Sequence, residues 1–358
     1  MRDSPLYQKD RLLPMKILFT GKDDFTYNRT RILLTGLLAN SEVEVTQYSM
    51  KDPQYAKDEL RQLASESDFV YVPAFRHSDV KPIKQLTDTP IVFDPLISKY
   101  LTRTIDYGEW WSAPKQYYRD WVAFKHSDII MMDTQGDIDW IVQKYELDAR
   151  NVFFLPIGAN TSTFKPKEMP PNEKFVVGYH GGFIPLQGLD KIVEAARIVA
   201  SERDILFDLL GAGPQFKKTT RLASKYGLTN INFRGWVKYE ELSDAVNAFD
   251  LCLGIFGKSI KTELVVPNKV YEYAALGKCV ISKETAGIQE VFTADKDIKL
   301  TPADPEKIAE AIVELKGDEQ KREALGQGAY ELITQKYNEH KIAERFIENL
   351  RQWQRQSA

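Results

Sequence analysis

The sequence GYHGGFIPLQGLD occupies residues 178–190 and is the most informative stretch for the fold. An apolar run over 176–179 passes through Gly181 and Gly182 into a helix-like pattern over 189–200. Glycines at a strand-to-helix turn let backbone N–H groups approach an anion, and the helix N-terminus adds a positive dipole. The pattern predicts a strand-turn-helix unit with a diphosphate site. A tight turn without a ligand is the alternative.

The same alternation continues on both sides of this stretch. Strand-like runs are predicted at 15–20, 44–48, 69–72, 91–93, 129–132, 152–155, 176–179, 206–210, 231–233, 251–255 and 279–282. Helical segments are predicted at 30–39, 55–65, 114–125, 189–200, 215–226, 239–247, 268–276 and from 305 onward. Strands that alternate with helices indicate parallel sheets covered on both faces. The fold class is therefore α/β, with two Rossmann-like doubly wound domains that face each other across a cleft.

A polar, proline-rich segment separates the two halves. Residues 165–174 read KPKEMPPNEK, a composition typical of a linker. We expect an N-terminal domain over 1–168, a C-terminal domain over 169–340, and a C-terminal helix over 341–358 that could pack back toward the N-terminal domain. Residues 1–14 have no apolar core that would indicate a signal peptide.

Composition excludes several classes of protein. The 358 residues carry a formal net charge of −3 without a block of like charges, so nucleic acid is not an expected partner. No tract is apolar enough to span a bilayer. Two cysteines and four scattered histidines indicate neither a disulfide framework nor a zinc site, and a reducing cytoplasm is expected. No cofactor and no metal are predicted.

Three further segments in the C-terminal half have polar residues where strands end. Gly211 follows one strand and Trp236 another, and each position is explained as well by a plain turn or by core packing. The third segment reads GKSIKTELVVPNKVYEY over 257–273 and holds Lys258, Lys261 and Lys269 around a predicted helix start, with Glu272 expected in the first turn of that helix. With the helix dipole, these lysines predict a positive site for phosphate.

Taken in order, these segments resemble the donor half of the retaining glycosyltransferases of family 4, in glycosyl transferases group 1. The strings FIPLQG, LGIFG and VPNKVYE are similar to a bacterial branch of that family, and the resemblance extends from about 178 to 311. It implies a GT-B fold, a nucleotide-diphosphate sugar as donor, retention of anomeric configuration, and no obligatory metal.

The resemblance also implies roles for individual residues. Glu272 corresponds to the second Glu of the E-x7-E motif, which binds the ribose hydroxyls. The first Glu falls at Leu264, with Glu263 beside it, and the usual Arg and Lys on the diphosphate fall at Gly182 and Gln187. Lys261 and Lys269, with Lys258 third, are therefore expected to offset the charge of the leaving group. The other donor-side residues expected are Gly181, Gly211, Trp236 and Asn268.

The N-terminal half contributes candidates for the other side of the cleft. Asp94 follows the strand at 91–93, where the resemblance places an active-site polar group, although a turn cap before Pro95 explains it equally well. Gly21, Asn28 and Arg29 lie on a predicted loop after the first strand and are assigned to the acceptor side.

The function expected is transfer of a sugar to a glycan, a lipid-linked molecule or another acceptor, as in polysaccharide biosynthesis. Peripheral contact with the inner membrane face would suit a lipid-linked acceptor, although no basic amphipathic anchor is visible. Two alternatives remain: an epimerase or hydrolase of the same fold, and a catalytically silent nucleotide-sugar-binding module. Asp137 and Asp139 match a D-x-D metal motif, but residues two apart in a helix point to different faces.

Overall fold

A computed structural model of the protein describes residues 13–357 and contains two six-stranded parallel sheets. The first sheet has the order β2-β1-β3-β4-β5-β6. Its strands are β1 Met15–Gly21, β2 Val43–Ser49, β3 Phe69–Val72, β4 Ile91–Phe93, β5 Ile129–Met132 and β6 Val152–Phe154. The helices that cover it are α1 Asn28–Leu38, α2 Lys57–Ser65, α3 His77–Lys84, α4 Ala113–Lys125 and α5 Gln135–Tyr145. The prediction about residues 1–14 lies almost entirely outside the described residues.

The second sheet has the order β12-β11-β10-β7-β8-β9. Its strands are β7 Phe175–His180, β8 Ile205–Leu210, β9 Ile231–Gly235, β10 Leu251–Leu253, β11 Val280–Lys283 and β12 Lys299–Thr301. Its helices are α6 Leu189–Ile198, α7 Phe216–Lys225, α8 Tyr239–Asn247, α9 Ile260–Leu264, α10 Asn268–Ala275, α11 Ala286–Gln289, α12 Pro305–Gly317, α13 Glu319–Lys336 and α14 Glu339–Ser357. The prediction of two doubly wound α/β domains is confirmed.

Several short elements differ from the sequence-based prediction. Helices α3, α9 and α11 and strand β12 were not predicted, and the single helical tail after residue 305 consists of the three helices α12, α13 and α14. Elements of three to eight residues are too short for a periodic pattern to stand out. The loop after β4 also contains a π-helical turn, Tyr100–Asp106, which the sequence did not indicate.

The last helix crosses from the second domain to the first. Phe346 and Leu350 of α14 are fully buried, and Asn349 donates a 3.0 Å hydrogen bond from Nδ2 to the carbonyl of Phe154 in β6. Trp353 donates from Nε1 to Asn151 Oδ1 at 3.2 Å. Because α14 is joined covalently to the second domain and packed on the first, it holds the two domains together on the side behind the cleft.

A second set of contacts joins the domains at the N-terminus of α5. The Glu290 carboxylate of the second domain accepts hydrogen bonds from the backbone N–H groups of Gln135, at 2.5 Å, and Gly136, at 2.9 Å. Thr134 donates from Oγ1 to the carbonyl of Leu264 at 2.6 Å. A carboxylate at a helix N-terminus is stabilised by the free N–H groups and the helix dipole. These contacts join the two domains at the floor of the cleft.

The packing of α14 on α1 predicts a sharp difference between two helical glycines. A Cβ added at Gly36 of α1 would lie 2.0 Å from the backbone oxygen of Glu339, whereas one added at Gly317 meets nothing within 4 Å. Gly36→Ala should lower the free energy of unfolding by about 1–3 kcal/mol, because the helices must separate. Gly317→Ala should be neutral or stabilise by up to about 1 kcal/mol. Urea unfolding of both variants checks this, and equal midpoints would contradict the packing described.

Candidate functional site

A cavity of about 520 Å³ opens between the two domains at the carboxyl ends of their strands. Parallel α/β sheets bind ligands in this position, because loops and helix N-termini converge there. The first domain contributes Tyr27, Phe75, Leu96, Ile97, Thr102, Tyr107, Asp133 and Ile157 to its wall. The second domain contributes eight of the residues expected from the sequence: Gly181, Gly182, Gln187, Trp236, Lys261, Asn268, Lys269 and Glu272.

Lys269 lies in the first turn of α10 and is only 4% exposed. Its ammonium donates to Gln187 Oε1 and lies 3.7 Å from the centre of the Tyr179 ring. Burial lowers the pKa of Lys269 well below its usual range, and the charge of Glu272 only partly opposes this effect. The two groups in direct contact with the ammonium, the Gln187 amide and the Tyr179 ring, are both neutral. A buried charge without an opposite charge is costly.

Glu272 lies one turn further along α10, also buried. Asn28 donates from Nδ2 to Glu272 Oε1 at 2.6 Å, and His180 Nε2 lies 3.0 Å from Oε2. From the sequence alone, Glu272 was expected in the first turn of the helix. That placement is wrong, because α10 begins at Asn268 and its first turn contains no acidic residue. The dipole at the helix start therefore does not account for this carboxylate.

Lys261 joins a buried group of acidic residues from the first domain. It is 6% exposed and donates from Nζ to Thr102 Oγ1 at 3.2 Å. Burial lowers its pKa, while Asp106, Asp137 and Asp133 act in the opposite direction. The second domain thus presents two buried lysines to the cavity, and one of them lies near carboxylates of the first domain.

Asp133 is a cavity residue that was not predicted from the sequence. It directly follows β5, is 1% exposed, and its Oδ1 has no hydrogen-bond partner. Burial raises the pKa of Asp133 to about 7, although the charge of Arg29 lowers it. A charged residue directly after an apolar strand was a usable signal, because strand ends meet at the cleft. The same rule had been applied only to Asp94.

Asp94, which directly follows β4 as predicted, and Arg29 form a buried pair. Asp94 is fully buried, and both of its oxygens accept from Arg29 Nε at 2.7 Å, while Tyr71 donates to Oδ2 at 2.9 Å. Arg29 is 2% exposed and lies in α1, not on a loop. Two opposite charges in the interior pair with each other because an isolated buried charge is costly. Neither residue is among those that line the cavity.

Five other predicted residues lie outside the cavity. Glu263 forms an ion pair with Lys283, and Lys258 is exposed and lines a separate hollow with Lys218. A Cβ at Gly211 would lie 1.9 Å from the Gly181 oxygen, so that glycine shapes the turn at 181 without reaching the cavity. Gly21 ends β1, and Asn28, the first residue of α1, reaches the cavity wall only through Glu272. Trp236 is 75% exposed, so it is not a core residue.

The D-x-D pair points to two different environments. Asp137 is fully buried and both its carboxylate oxygens lack a hydrogen-bond partner, whereas Asp139 is exposed and accepts from Gln135 Nε2. Burial raises the pKa of Asp137 well above its usual range, and the neighbouring Asp133 raises it further. Within residues 13–357, no cluster of three or more His, Cys, Asp or Glu side chains is arranged to hold a metal ion.

Comparison with known proteins supports a family for the C-terminal half. Residues 160–332 match the family described as "Glycosyl transferases group 1". The chain is 24% identical over 192 residues to a GDP-mannose-dependent monoacylated alpha-(1-6)-phosphatidylinositol monomannoside mannosyltransferase of Corynebacterium glutamicum, covering 48% of this chain and 49% of that protein. It is 26% identical over 181 residues to the lipopolysaccharide core biosynthesis glycosyltransferase LpsD of Rhizobium meliloti, covering 50% of each. The matches thus span about half the length of these relatives.

Similarity of structure extends over both domains. The crystal structure of Anabaena Alr3699/HepE in complex with UDP and glucose superposes with a TM-score of 0.73, covering 94% of this chain and 99% of that one at 16% identity. At this identity the comparison shows the fold, which is GT-B. The similarity to glycosyl transferases group 1 thus lies in the C-terminal half of the chain, and the shared fold extends over both domains.

The buried Asp133 predicts a pH-dependent effect on stability. Its raised pKa means that the folded protein holds a proton that the unfolded chain releases, so ionisation costs stability as the pH rises from 3.8 towards about 7. The charged groups that act on it are Arg29, Asp94 and Glu290. At a pH above 7, Asp133→Asn should therefore unfold at a higher urea concentration than the wild type does. The difference between the two midpoints should shrink steadily on acidification. Asp139→Asn, at an exposed position, is the control. A gain that is absent or independent of pH would contradict the burial described.

Proposed function

We propose that this protein is a retaining glycosyltransferase of family 4, of the bacterial branch, which transfers a hexose from a nucleoside-diphosphate sugar. The acceptor is a glycan, a lipid-linked molecule or a related hydroxyl compound, as in the synthesis of surface polysaccharide. The proposal rests on the family match of the C-terminal half and on the chemistry of the cavity. The observation that carries it is the buried ammonium of Lys269, which faces a cavity between two domains with only neutral groups in direct contact.

A diphosphate would provide the opposite charge that Lys269 needs. The N-terminus of α10 has no side-chain cap, so its first N–H groups are available together with the helix dipole. Gly181, in the turn after β7, lies close to the same ammonium. A Cβ added at this glycine would be 3.1 Å from Lys269 Nζ. A glycine at this position leaves room for a phosphate beside the lysine.

The rest of the nucleotide would lie along α10 and β9. Glu272 carries carboxylate oxygens that can accept hydrogen bonds from ribose hydroxyls, and Asn28 holds that carboxylate in place. Trp236 exposes a large aromatic face at the rim of the cavity, suitable for stacking on a base. Because HepE, which shares the fold, was crystallised in complex with UDP, a uridine donor is the first one to test.

The leaving diphosphate would be stabilised by lysines rather than by a bound metal. Lys269 and Lys261 are both buried in the cavity wall, where a cation acts more strongly on developing negative charge than it does in water. Departure of the diphosphate on the same face as acceptor attack gives retention, with a phosphate oxygen taking the proton of the acceptor hydroxyl. No cofactor is required for this step.

Asp133 would supply the carboxylate that position 264 lacks. Asp133 lies in the cavity wall contributed by the first domain, and a carboxylate at this position can accept from a sugar hydroxyl. Cys252 and Cys279 are buried free thiols, which fits the reducing cytoplasm proposed as the site of the reaction.

Glu272 and Glu263 form a matched pair for testing this donor site. Glu272→Ala should weaken binding of the preferred nucleoside diphosphate about tenfold or more, because hydrogen bonds to a charged group are lost. Glu263→Ala removes a carboxylate from the same segment but outside the cavity, and should leave affinity unchanged. Calorimetric titration of the wild type and of both variants with UDP, GDP and ADP measures these affinities.

The outcomes distinguish the proposal from its alternatives. Equal affinity of wild type and Glu272→Ala would remove this donor site. Turnover of the donor without an acceptor would indicate the epimerase or hydrolase, and tight donor binding without turnover over a broad acceptor panel would indicate a silent binding module.

A further inference from the structure

The segment from Trp110 to Lys125 exposes an unusual number of aromatic rings. Trp110 is 62% exposed, Trp111 81%, Tyr118 60% and Trp121 39%. These four residues are here called the aromatic patch. Tyr118 and Trp121 lie one turn apart on α4 and stack on each other, with ring centres 6.2 Å apart. The sequence predicted only a helix here, because exposed and buried aromatics cannot be distinguished by composition.

Basic side chains share this surface. Lys115 and Arg119 lie on the exposed side of α4, and Lys125 ends the same helix. Helix α4 turns its other side, which includes Asp120 and Phe124, towards the protein interior. Basic and aromatic side chains on one helix face, opposite a buried face, are typical of a helix that lies in a membrane interface.

More positive charge lies next to α4 on the loop that follows β4. Burial lowers the pKa of Lys99 there, and the nearby charges of Arg76, Arg119 and Arg103 lower it further, while Asp120 opposes them. Arg76 and Arg103 are each paired with a carboxylate, Asp79 and Glu109, so the positive charge of this surface rests mainly on the exposed cations of α4.

The acidic residues near α4 are buried or paired with other cations. Asp120 is fully buried, and its oxygens accept from Ser98, Tyr145 and the backbone N–H groups of Lys99 and Tyr100. Glu109 is held by Arg103 at 2.6 Å. Between residues 110 and 125, Asp120 is the sole acidic residue in the sequence.

We propose that the aromatic patch and the basic residues of α4 dock this protein on the surface of a membrane that contains anionic lipids. Indole and phenol rings sit at the headgroup level, where one edge is apolar and the other meets water, and the lysine and arginine charges attract anionic headgroups. Within residues 13–357 no helix is long and apolar enough to span a bilayer. The interaction proposed is therefore with the surface.

The position of the patch connects it with the cavity. Tyr107 lines the cavity, and Trp110 follows three residues later on the same loop. A membrane bound at the patch would lie beside the mouth of the cavity. The proposal does not depend on the glycosyltransferase activity, because it concerns a surface outside the cavity.

Flotation with lipid vesicles tests this proposal with the whole chain. The wild type should float with vesicles of equal parts phosphatidylcholine and phosphatidylglycerol, bind phosphatidylcholine alone much less, and dissociate as salt is raised. Trp110→Ala/Trp111→Ala and Lys115→Glu/Arg119→Glu should each lower the partition coefficient about tenfold or more. The control is Arg221→Glu/Lys225→Glu on α7, an exposed pair with the same spacing on the other domain, which should bind as the wild type does.

Thermal unfolding of each variant verifies that its fold is intact, and quenching of tryptophan fluorescence by brominated lipid provides a second measurement. Quenching should fall in Trp110→Ala/Trp111→Ala and remain in the control. Failure of the wild type to float, or equal binding by both patch variants and the wild type, would overturn the proposal. Quenching by soluble oligosaccharide with no vesicle binding would also overturn it and would indicate a glycan platform instead.

Discussion

The buried ammonium of Lys269 is the constraint around which the site is organised. A lysine at the start of α10 could extend into solvent, yet here it lies under the turn that follows β7, against Gln187 and the Tyr179 ring. Those groups soften the loss of hydration without providing an opposite charge, so the site remains prepared for an anion. The same ammonium explains the glycine at position 181, because any side chain there would crowd it. Lys269 thus connects the glycine turn, helix α10 and the cavity.

The cavity exists because the two domains are held together at two places. Behind the cleft, α14 returns to the first sheet and buries Phe346 and Leu350. At its floor, Glu290 binds the N-terminus of α5, directly beside Asp133 in the chain.

Much of the fold could be predicted from the sequence, and less of the site. The strands at 69–72, 91–93 and 129–132 coincide with the predicted ranges, because continuous apolar runs mark strands buried on both faces. The lysines of α10 and α9 were found because their positions at a helix start have a local electrostatic meaning. The pairing of Asp94 with Arg29 could not be predicted, because the two residues lie 65 positions apart and no local pattern reveals it. Asp133 was overlooked although it follows a strand just as Asp94 does, since only packing decides which of the two faces the cavity.

Binding of an anionic donor in the cavity at Lys269 can be observed in a crystal structure of the protein with its preferred nucleoside diphosphate. We expect the diphosphate between Lys269 and the turn at Gly181 and Gly182, with the ribose at Glu272. A diphosphate bound instead in the separate hollow lined by Lys218 and Lys258 would contradict the role given to Lys269.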